Sequence, residues 1–306
     1  MDELNAIIDN VERVIIGKRE AITLSLVGLL CEGHVLLEDV PGTGKTTLAR
    51  ALAKSVALDF GRIQFTSDLL PADLLGISVY ARDENRFVFR PGPIFGNVIL
   101  ADELNRTTPR TQSALLECMQ EGCVSVEGET RDLPRPFFVI ATQNPVEFEG
   151  TYPLPESQLD RFLLSIRLGR PDRDAERQIL RDRIQGDPMD ELESVCDAAQ
   201  VQAAIAARSE VTVDAALMEY VLDFVEATRS SNRFELGAST RAAMGWIAAA
   251  QALALIEGRR WCVPDDFKRL VLPILAHRTF AAASQGVAGH TGDALSELLG
   301  EIPIPA

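Results

Sequence analysis

A glycine-rich turn between an apolar strand and an amphipathic helix is the feature that most limits how this chain can fold. The strand is predicted at residues 34–38 and the helix at residues 46–54. Between them the sequence reads Val40-Pro41-Gly42-Thr43-Gly44-Lys45-Thr46-Thr47. Glycines let backbone amides approach a phosphate closely, and the positive end of the following helix attracts the anion. We predict that Lys45 reaches the β- and γ-phosphates of a nucleotide and that the Thr46 hydroxyl binds Mg²⁺.

Paired acids after a second strand point to the same chemistry. The stretch Asn97-Val98-Ile99-Leu100-Ala101 is apolar and leads directly into Asp102 and Glu103. Such a pair is by itself often a solvated helix start, but together with the phosphate loop it indicates catalysis. Asp102 is suited to hold Mg²⁺ and Glu103 to polarise a water for attack on the γ-phosphate. Open α/β sheets bind ligands at this end of their strands.

The order of the remaining elements predicts two domains. Further short strands are predicted at residues 62–65 and 137–141, and buried apolar strands alternating with helices are typical of a parallel sheet covered on both faces. Beyond Pro171 the pattern becomes helical, with helices over 213–229, 239–257 and from Pro264, and we expect no strand after about residue 170. We predict an α/β P-loop NTPase domain over residues 1–185 and an all-helical domain, called the lid below, over 186–306.

Composition excludes several classes of protein. The 306 residues include 45 acidic and 30 basic side chains, a net charge of −15. This charge argues against binding to nucleic acid or to an anionic membrane, since both rely on Lys and Arg. No apolar run approaches the roughly 18–20 residues that span a bilayer, so a cytoplasmic location and no membrane span are expected.

The cysteines and histidines do not suggest a zinc site. The five cysteines are widely scattered and form no CxxC pair, which is typical of reduced thiols in core or surface positions. The three histidines share no ligand spacing with them. The residues concerned are Cys31, Cys118, Cys123, Cys196, Cys262, His34, His277 and His290.

The motifs together resemble the MoxR family of AAA+ ATPases. The resemblance covers most of the chain and is densest between residues 35 and 162. It is carried by Leu36-Leu37-Glu38-Asp39-Val40-Pro41-Gly42, Gly92-Pro93-Ile94-Phe95, Ala101-Asp102-Glu103-Leu104-Asn105-Arg106, Ala141-Thr142-Gln143-Asn144-Pro145 and Leu159-Asp160-Arg161-Phe162. A strict phosphate loop begins with glycine, whereas this one begins with Asp39, a variation that the family tolerates.

The resemblance implies roles for three more polar residues. Asn144 resembles the sensor 1 residue, which would orient the attacking water, although a turn residue is the alternative. Arg161 resembles the arginine finger, which would contact the γ-phosphate held by a neighbouring subunit; the alternative is a surface ion pair with Asp160. Arg241 resembles sensor 2, which would reach the nucleotide of its own subunit from the lid.

The adenine wall and a possible switch also follow from the resemblance. Ile15, Ile16 and Gly17, after Val14, would form the apolar wall against adenine, with a core turn equally consistent. Gln64 is a candidate for the polar switch that restrains Glu103, or else an ordinary residue at a strand end. Residues 71–90 are expected to form a helix and hairpin, and residues 123–130 a hairpin turning at Gly128.

The function implied by the resemblance is ATP hydrolysis in a homo-oligomeric ring, expected to be a hexamer. ATP and Mg²⁺ would bind between subunits, and turnover would remodel or mature a partner, expected to be a separate chain with a von Willebrand factor A domain. A magnesium-chelatase-like motor subunit, a nucleic-acid-associated motor and a non-hydrolysing scaffold are the alternatives. A P-loop GTPase is poorly supported, because no Asn-Lys-x-Asp motif occurs.

Overall fold

A computed structural model describes residues 2–83, 85–144, 150–282 and 291–304. Pro145 and His290, both considered above, lie outside these ranges. The described strands, in chain order, are β1 (Val35–Glu38), β2 (Phe60–Gln64), β3 (Gly76–Ala81), β4 (Arg86–Pro91), β5 (Val98–Asp102), β6 (Cys123–Val126), β7 (Glu129–Asp132), β8 (Phe138–Gln143), β9 (Leu164–Ile166), β10 (Phe234–Leu236) and β11 (Phe280–Ala281).

A parallel sheet of five strands forms the centre of the first domain, as predicted. Its order is β2-β5-β8-β1-β9. Successive residues of β1 enter different apolar clusters: Val35 and Leu37 face one cluster and Leu36 faces the other. Both faces of the sheet are therefore covered, which explains why these strands read as continuous apolar runs. The edge strand β9 was not predicted, because three residues are too short to show a pattern.

The helices of the first domain lie on the two faces of this sheet. They are α1 (Asp2–Glu12), α2 (Arg19–Leu30), α3 (Lys45–Ser55), α4 (Pro71–Leu75), α5 (Pro109–Glu121) and α6 (Glu156–Leu159). Apolar residues of α1, α2 and α3 join one cluster, whereas those of α4 and α5 join the other. The two expected insertions are present: α4 precedes the antiparallel pair β3–β4, and β6–β7 forms a hairpin in which Gly128 has a φ of +84°.

The second domain is built mainly from helices, as predicted. They are α8 (Ala198–Arg208), α9 (Ala215–Ser230), α10 (Thr240–Ile256), α11 (Pro264–Leu275) and α12 (Thr291–Glu301), and α7 (Arg173–Gln185) connects β9 to them. Trp246 of α10 is fully buried and packs edge-on against Phe224 and Phe267, with ring centroids 5.2 and 6.0 Å away. None of the helices in the described ranges has both the length and the apolarity needed to cross a membrane.

The expectation of no strand after residue 170 was wrong. The short strands β10 and β11 pair antiparallel across the lid. They contain three and two residues and are far apart in sequence, so no local alternation of apolar and polar residues predicts them. The lid also packs on the first domain, since α10 contacts α2 and α11 contacts β9. One apolar cluster continues through both domains.

Candidate nucleotide site

The predicted phosphate loop connects the buried strand β1 to the first turn of α3. Gly42 and Gly44 have φ values of +84° and +93°, in the left-handed region that favours glycine. A Cβ atom added to Gly42 would meet nothing within 4 Å, so the backbone conformation, not lack of space, requires glycine there. Because α3 begins at Lys45, its free amides and positive dipole face the loop.

Asp39, which replaces the leading glycine, supports the loop. One carboxylate oxygen accepts a hydrogen bond of 2.7 Å from the Gly169 amide, and the other accepts one of 3.2 Å from the Val40 amide. Asp39 therefore ties the start of the loop to the segment after β9. This contact explains how the loop keeps its shape without the glycine.

Lys45 lies at the mouth of a cavity of about 370 Å³ that the loop shares with the paired acids. The ammonium donates to the carbonyl oxygens of Asp39 and Val40, at 2.6 and 3.4 Å. Burial lowers the pKa of Lys45, while the charges of Asp39, Asp102 and Glu103 raise it. The cavity is lined by Pro41, Gly42, Gly44, Lys45, Thr46, Thr47, Asp102, Glu103, Thr142 and Asn144. It therefore brings the predicted metal ligands Thr46 and Asp102 together with Lys45, Glu103 and Asn144.

Thr142 joins the two acids. Its hydroxyl donates to an Asp102 carboxylate oxygen at 2.7 Å and accepts from the Glu103 amide at 2.8 Å. The other Asp102 oxygen accepts from Arg62 at 2.8 Å. Asp102 is thus held in one orientation at the carboxyl end of β5, facing the phosphate loop.

Glu103 has an unusual backbone conformation. Its φ is +59°, in the left-handed region, where a non-glycine residue is strained. The carboxylate accepts hydrogen bonds from Gln64 at 2.7 Å and from Arg106 at 2.8 Å. The turn directs the side chain away from β5, and two donors hold it there.

Asn144 lies where β8 ends and lines the same cavity. It is 8% exposed, and its carbonyl oxygen lies 3.5 Å from the Asn105 amide group. Because β8 pairs with both β1 and β5, this strand end lies between the loop and the acids. The sensor position proposed from sequence is therefore beside Glu103 and Lys45.

A smaller apolar cavity of about 170 Å³ continues from the phosphate loop. Ile15 and Ile16 line it together with Val14, in the region expected for adenine. Gly17 does not line it and instead borders a neighbouring cavity. The complete lining is Arg13, Val14, Ile15, Ile16, Lys18, Gly42, Thr43, Gly44, Thr47, Pro171, Ile179, Asp182, Arg183, Asp187 and Pro188.

The two predicted arginines lie away from these cavities. Within the part of the chain that the structure describes, neither Arg161 nor Arg241 lines either cavity. Arg161 donates to the Leu116 carbonyl of α5 at 3.0 Å. Its neighbour Asp160 accepts a hydrogen bond from Ser239 instead. Arg241 is exposed at the start of α10.

The oxygen donors present fit Mg²⁺. The Thr46 hydroxyl and the Asp102 carboxylate line one cavity, and oxygen ligands are those that Mg²⁺ prefers. Thr46 and Asp102 would hold the ion, which when bound neutralises charge on the phosphate oxygens. Lys45 and the loop residues Gly42 and Gly44 line the same cavity.

Sequence reasoning gave no role to four groups that shape this site. Thr142, Arg62 and Arg106 hold the two acids, and α7 supplies Ile179 to the smaller apolar cavity. The two-residue period of β2 was an available signal, because it brings Arg62 to the same face as Gln64. The contribution of α7 depends on tertiary packing and had no local signal.

Comparison with known proteins agrees with this geometry. Residues 34–164 match the family described as ATPase family associated with various cellular activities (AAA), and residues 226–298 match the AAA lid domain. A crystal structure of a candidate ATPase from Cytophaga hutchinsonii superposes with a TM-score of 0.91 at 38% identity, covering 100% of this chain and 96% of that one.

Two curated relatives align over most of their length. The uncharacterized protein YeaC of Bacillus subtilis is 46% identical, over 99% of this chain and 95% of the relative. Chaperone MoxR1 of Mycobacterium tuberculosis is 43% identical, over 90% of this chain and 75% of the relative. With its phosphate loop, paired acids and helical lid, the chain belongs to the MoxR family of AAA+ ATPases.

Proposed function

We propose that this chain hydrolyses ATP with Mg²⁺ at sites shared between subunits of a homo-oligomeric ring, and that turnover remodels or matures partner proteins. One observation carries the proposal. Lys45 and Glu103 face one cavity, whereas Arg161 lies at α5, outside that cavity. Of the described residues that line this cavity, Lys45 is the single basic one, and a second copy of the chain would supply Arg161 to it.

Each residue then has a defined task. Lys45 and the loop amides bind the phosphates, and Ile15 and Ile16 contact adenine. Glu103, released from Gln64 and Arg106, accepts a proton from the attacking water, which Asn144 orients. Arg161 of the adjoining subunit stabilises charge on the phosphate oxygens, a task suited to a planar guanidinium.

Arg241 is proposed as the contact between the lid and a nucleotide. The sequence predicts a contact within its own subunit. Among the described residues Arg241 lines neither cavity, so this contact would require the lid to move towards the nucleotide. We propose that nucleotide state alters the angle between residues 1–185 and 186–306.

Mixing two inactive variants tests the shared site. Lys45→Ala keeps its finger but binds no ATP, whereas Arg161→Ala binds ATP but presents no finger. Each alone should lose hydrolysis by about 10³-fold or more, since finger residues contribute that much. Co-assembled rings should regain turnover, because Arg161→Ala subunits then face intact fingers.

The measurement is phosphate release across a series of mixing ratios, with co-assembly shown by copurification through a tag on one variant only. Arg241→Ala is also mixed with each of these two variants in turn. Recovery with Arg161→Ala would show that Arg241 acts on the nucleotide of its own subunit, and recovery with Lys45→Ala that it acts on the neighbour's. If co-assembled rings stay inactive at every ratio, the proposal of a shared site is wrong.

A further inference from the structure

The lid holds the main chain directly beside Arg161. The carbonyl oxygen of Phe162 accepts hydrogen bonds from Nε and Nη2 of Arg278, the first at 3.0 Å. Nε2 of His277 lies 2.9 Å from the same oxygen. Both side chains belong to the segment that directly follows α11, so the residue after Arg161 is bound to the lid at the end of that helix.

The residue before Arg161 is held by a second lid helix. The Asp160 carboxylate accepts a hydrogen bond of 3.0 Å from the hydroxyl of Ser239. The same hydroxyl caps α10 by accepting from the Ala242 amide at 3.1 Å. Arg161 is therefore flanked on both sides by residues bound to the lid, and its own guanidinium contacts α5.

Burial of the Arg278 guanidinium at this position costs free energy. Arg278 is 5% exposed, and a buried guanidinium is costly unless it is fully paired. Its pKa is lowered to about 10, mainly by burial, with the charge of Asp160 raising it and that of Arg241 lowering it. Within the described residues, Nη1 has no hydrogen-bond partner. Lid packing alone would be served as well by an apolar side chain.

Leu163, which follows Phe162, is tightly packed between α10 of the lid and the first domain. Leu163 lies so close to Gly33 and Gly245 that a Cβ atom on either would come within 2.6 or 2.8 Å of its side chain. Gly33 follows α2, and Gly245 belongs to α10 of the lid. Because packed interiors transmit displacement, a movement of α10 or α11 reaches the main chain around Arg161.

We propose that Arg278 is a positioning residue that fixes Arg161 through the Phe162 carbonyl, so that the lid of one subunit controls hydrolysis in the next. This inference rests on the proposed function, because it requires Arg161 to act between subunits. A lid that responds to its own nucleotide would then set the finger offered to the neighbour's ATP.

The test uses Arg278→Met, which keeps bulk but removes the donors, and Arg278→Lys, which keeps charge but lacks the two-point contact. Either variant should retain ATP affinity and lose about 10- to 100-fold in kcat, since misplacement by about 1 Å has costs of this size. The Lys variant keeps the test possible if the Met variant does not fold. Arg259→Met is the control, because Arg259 is also an ion-paired lid arginine, bonded to buried Asp266.

Mixed rings distinguish positioning from general damage. Rings of Arg278→Met with Lys45→Ala should recover activity, because the Met variant's loops then face intact fingers. Rings of Arg278→Met with Arg161→Ala should stay inactive, since neither chain offers a placed finger. Recovery in the mixture with Arg161→Ala would overturn the inference. A failure to recover in both mixtures would overturn it as well. The mixture of Lys45→Ala with Arg161→Ala runs in parallel, and its failure would instead overturn the shared site.

Discussion

The side-chain amide of Gln64 donates a 2.7 Å hydrogen bond to the carboxylate of Glu103. The pairing of β2 with β5 produces this contact, because Gln64 lies opposite Asp102 in the register. Arg106 donates to the same Glu103 oxygen. In this arrangement Glu103 is held by side chains of its own chain, which is how a restrained base would appear before activation.

Gln64→Ala should raise basal ATP hydrolysis, because it removes one of the two donors that hold Glu103. A hydrogen bond to a charged group contributes about 1.5–3 kcal/mol, and exposure of this pair reduces that, so we expect an increase of up to about tenfold in kcat. ATP affinity should not change. Phosphate release under saturating ATP measures the effect.

Gln143→Ala is the matched control for this increase. Gln143 lies at the same edge of the sheet but donates to Glu38 at 2.5 Å, not to Glu103. Its replacement should leave basal turnover close to that of the unmodified protein. Equal rates for Gln64→Ala and the unmodified chain would refute restraint by Gln64.

Lys45→Ala should weaken ATP binding by about 100-fold or more, so that no binding is detected at working ATP concentrations, because charge-assisted hydrogen bonds contribute up to about 3 kcal/mol. Lys54→Ala is the control on the same helix, since the Lys54 ammonium caps the carbonyl of Met189 at 2.7 Å. Titration calorimetry with ATP and Mg²⁺ compares the two. Retained affinity in Lys45→Ala would remove the phosphate-loop assignment.

Glu103→Gln should bind ATP normally and lose about 10²- to 10⁴-fold in hydrolysis, the range attributed to a general base. Such a variant accumulates in its ATP state and should retain a partner on an affinity column. Purified von Willebrand factor A domain protein is the probe, and Lys45→Ala supplies the control without nucleotide. Turnover at the unmodified rate would exclude Glu103 as the base.

The grouping of Lys45, Asp102 and Glu103 around one cavity was predictable, because each follows a strand end that the sequence shows locally. Strand ends, glycines and paired acids are read directly along the chain, and the parallel sheet brings them to one edge. Gln64 was identified as a candidate, and its contact with Glu103 depends only on the register of adjacent strands. The direction of the Glu103 carboxylate, set by a φ of +59°, had no such signal.

Long-range contacts explain what the sequence did not reveal. Arg278 and Phe162 are 116 positions apart, and no periodic pattern relates them. The pair β10–β11 likewise joins residues that are far apart in the chain. These features follow from tertiary packing, which a single sequence encodes only collectively.

Buried His34 should make the protein less stable in mild acid. Nδ1 accepts from the Val139 amide at 3.1 Å, and Nε2 lies 2.8 Å from the Met119 carbonyl, so a neutral ring satisfies both contacts. Burial lowers the pKa of His34 to about 4, from 6.5. The unfolded chain therefore binds this proton before the native one does, and stability falls as pH decreases from 6.5 towards 4.

At pH 5 the loss from His34 is about 2 kcal/mol relative to neutral pH. The glutamine in His34→Gln does not titrate. Between pH 7 and pH 5 the free energy of unfolding of this variant should therefore fall by about 2 kcal/mol less than that of the unmodified protein. Part of the pH dependence should remain, because burial also lowers the pKa of His277, to about 3. Urea unfolding at both pH values measures the difference. Each protein is compared with itself at the two pH values, so a general loss of stability in the variant does not affect the result. If the pH dependence of the variant equals that of the unmodified protein, His34 is not the group that titrates.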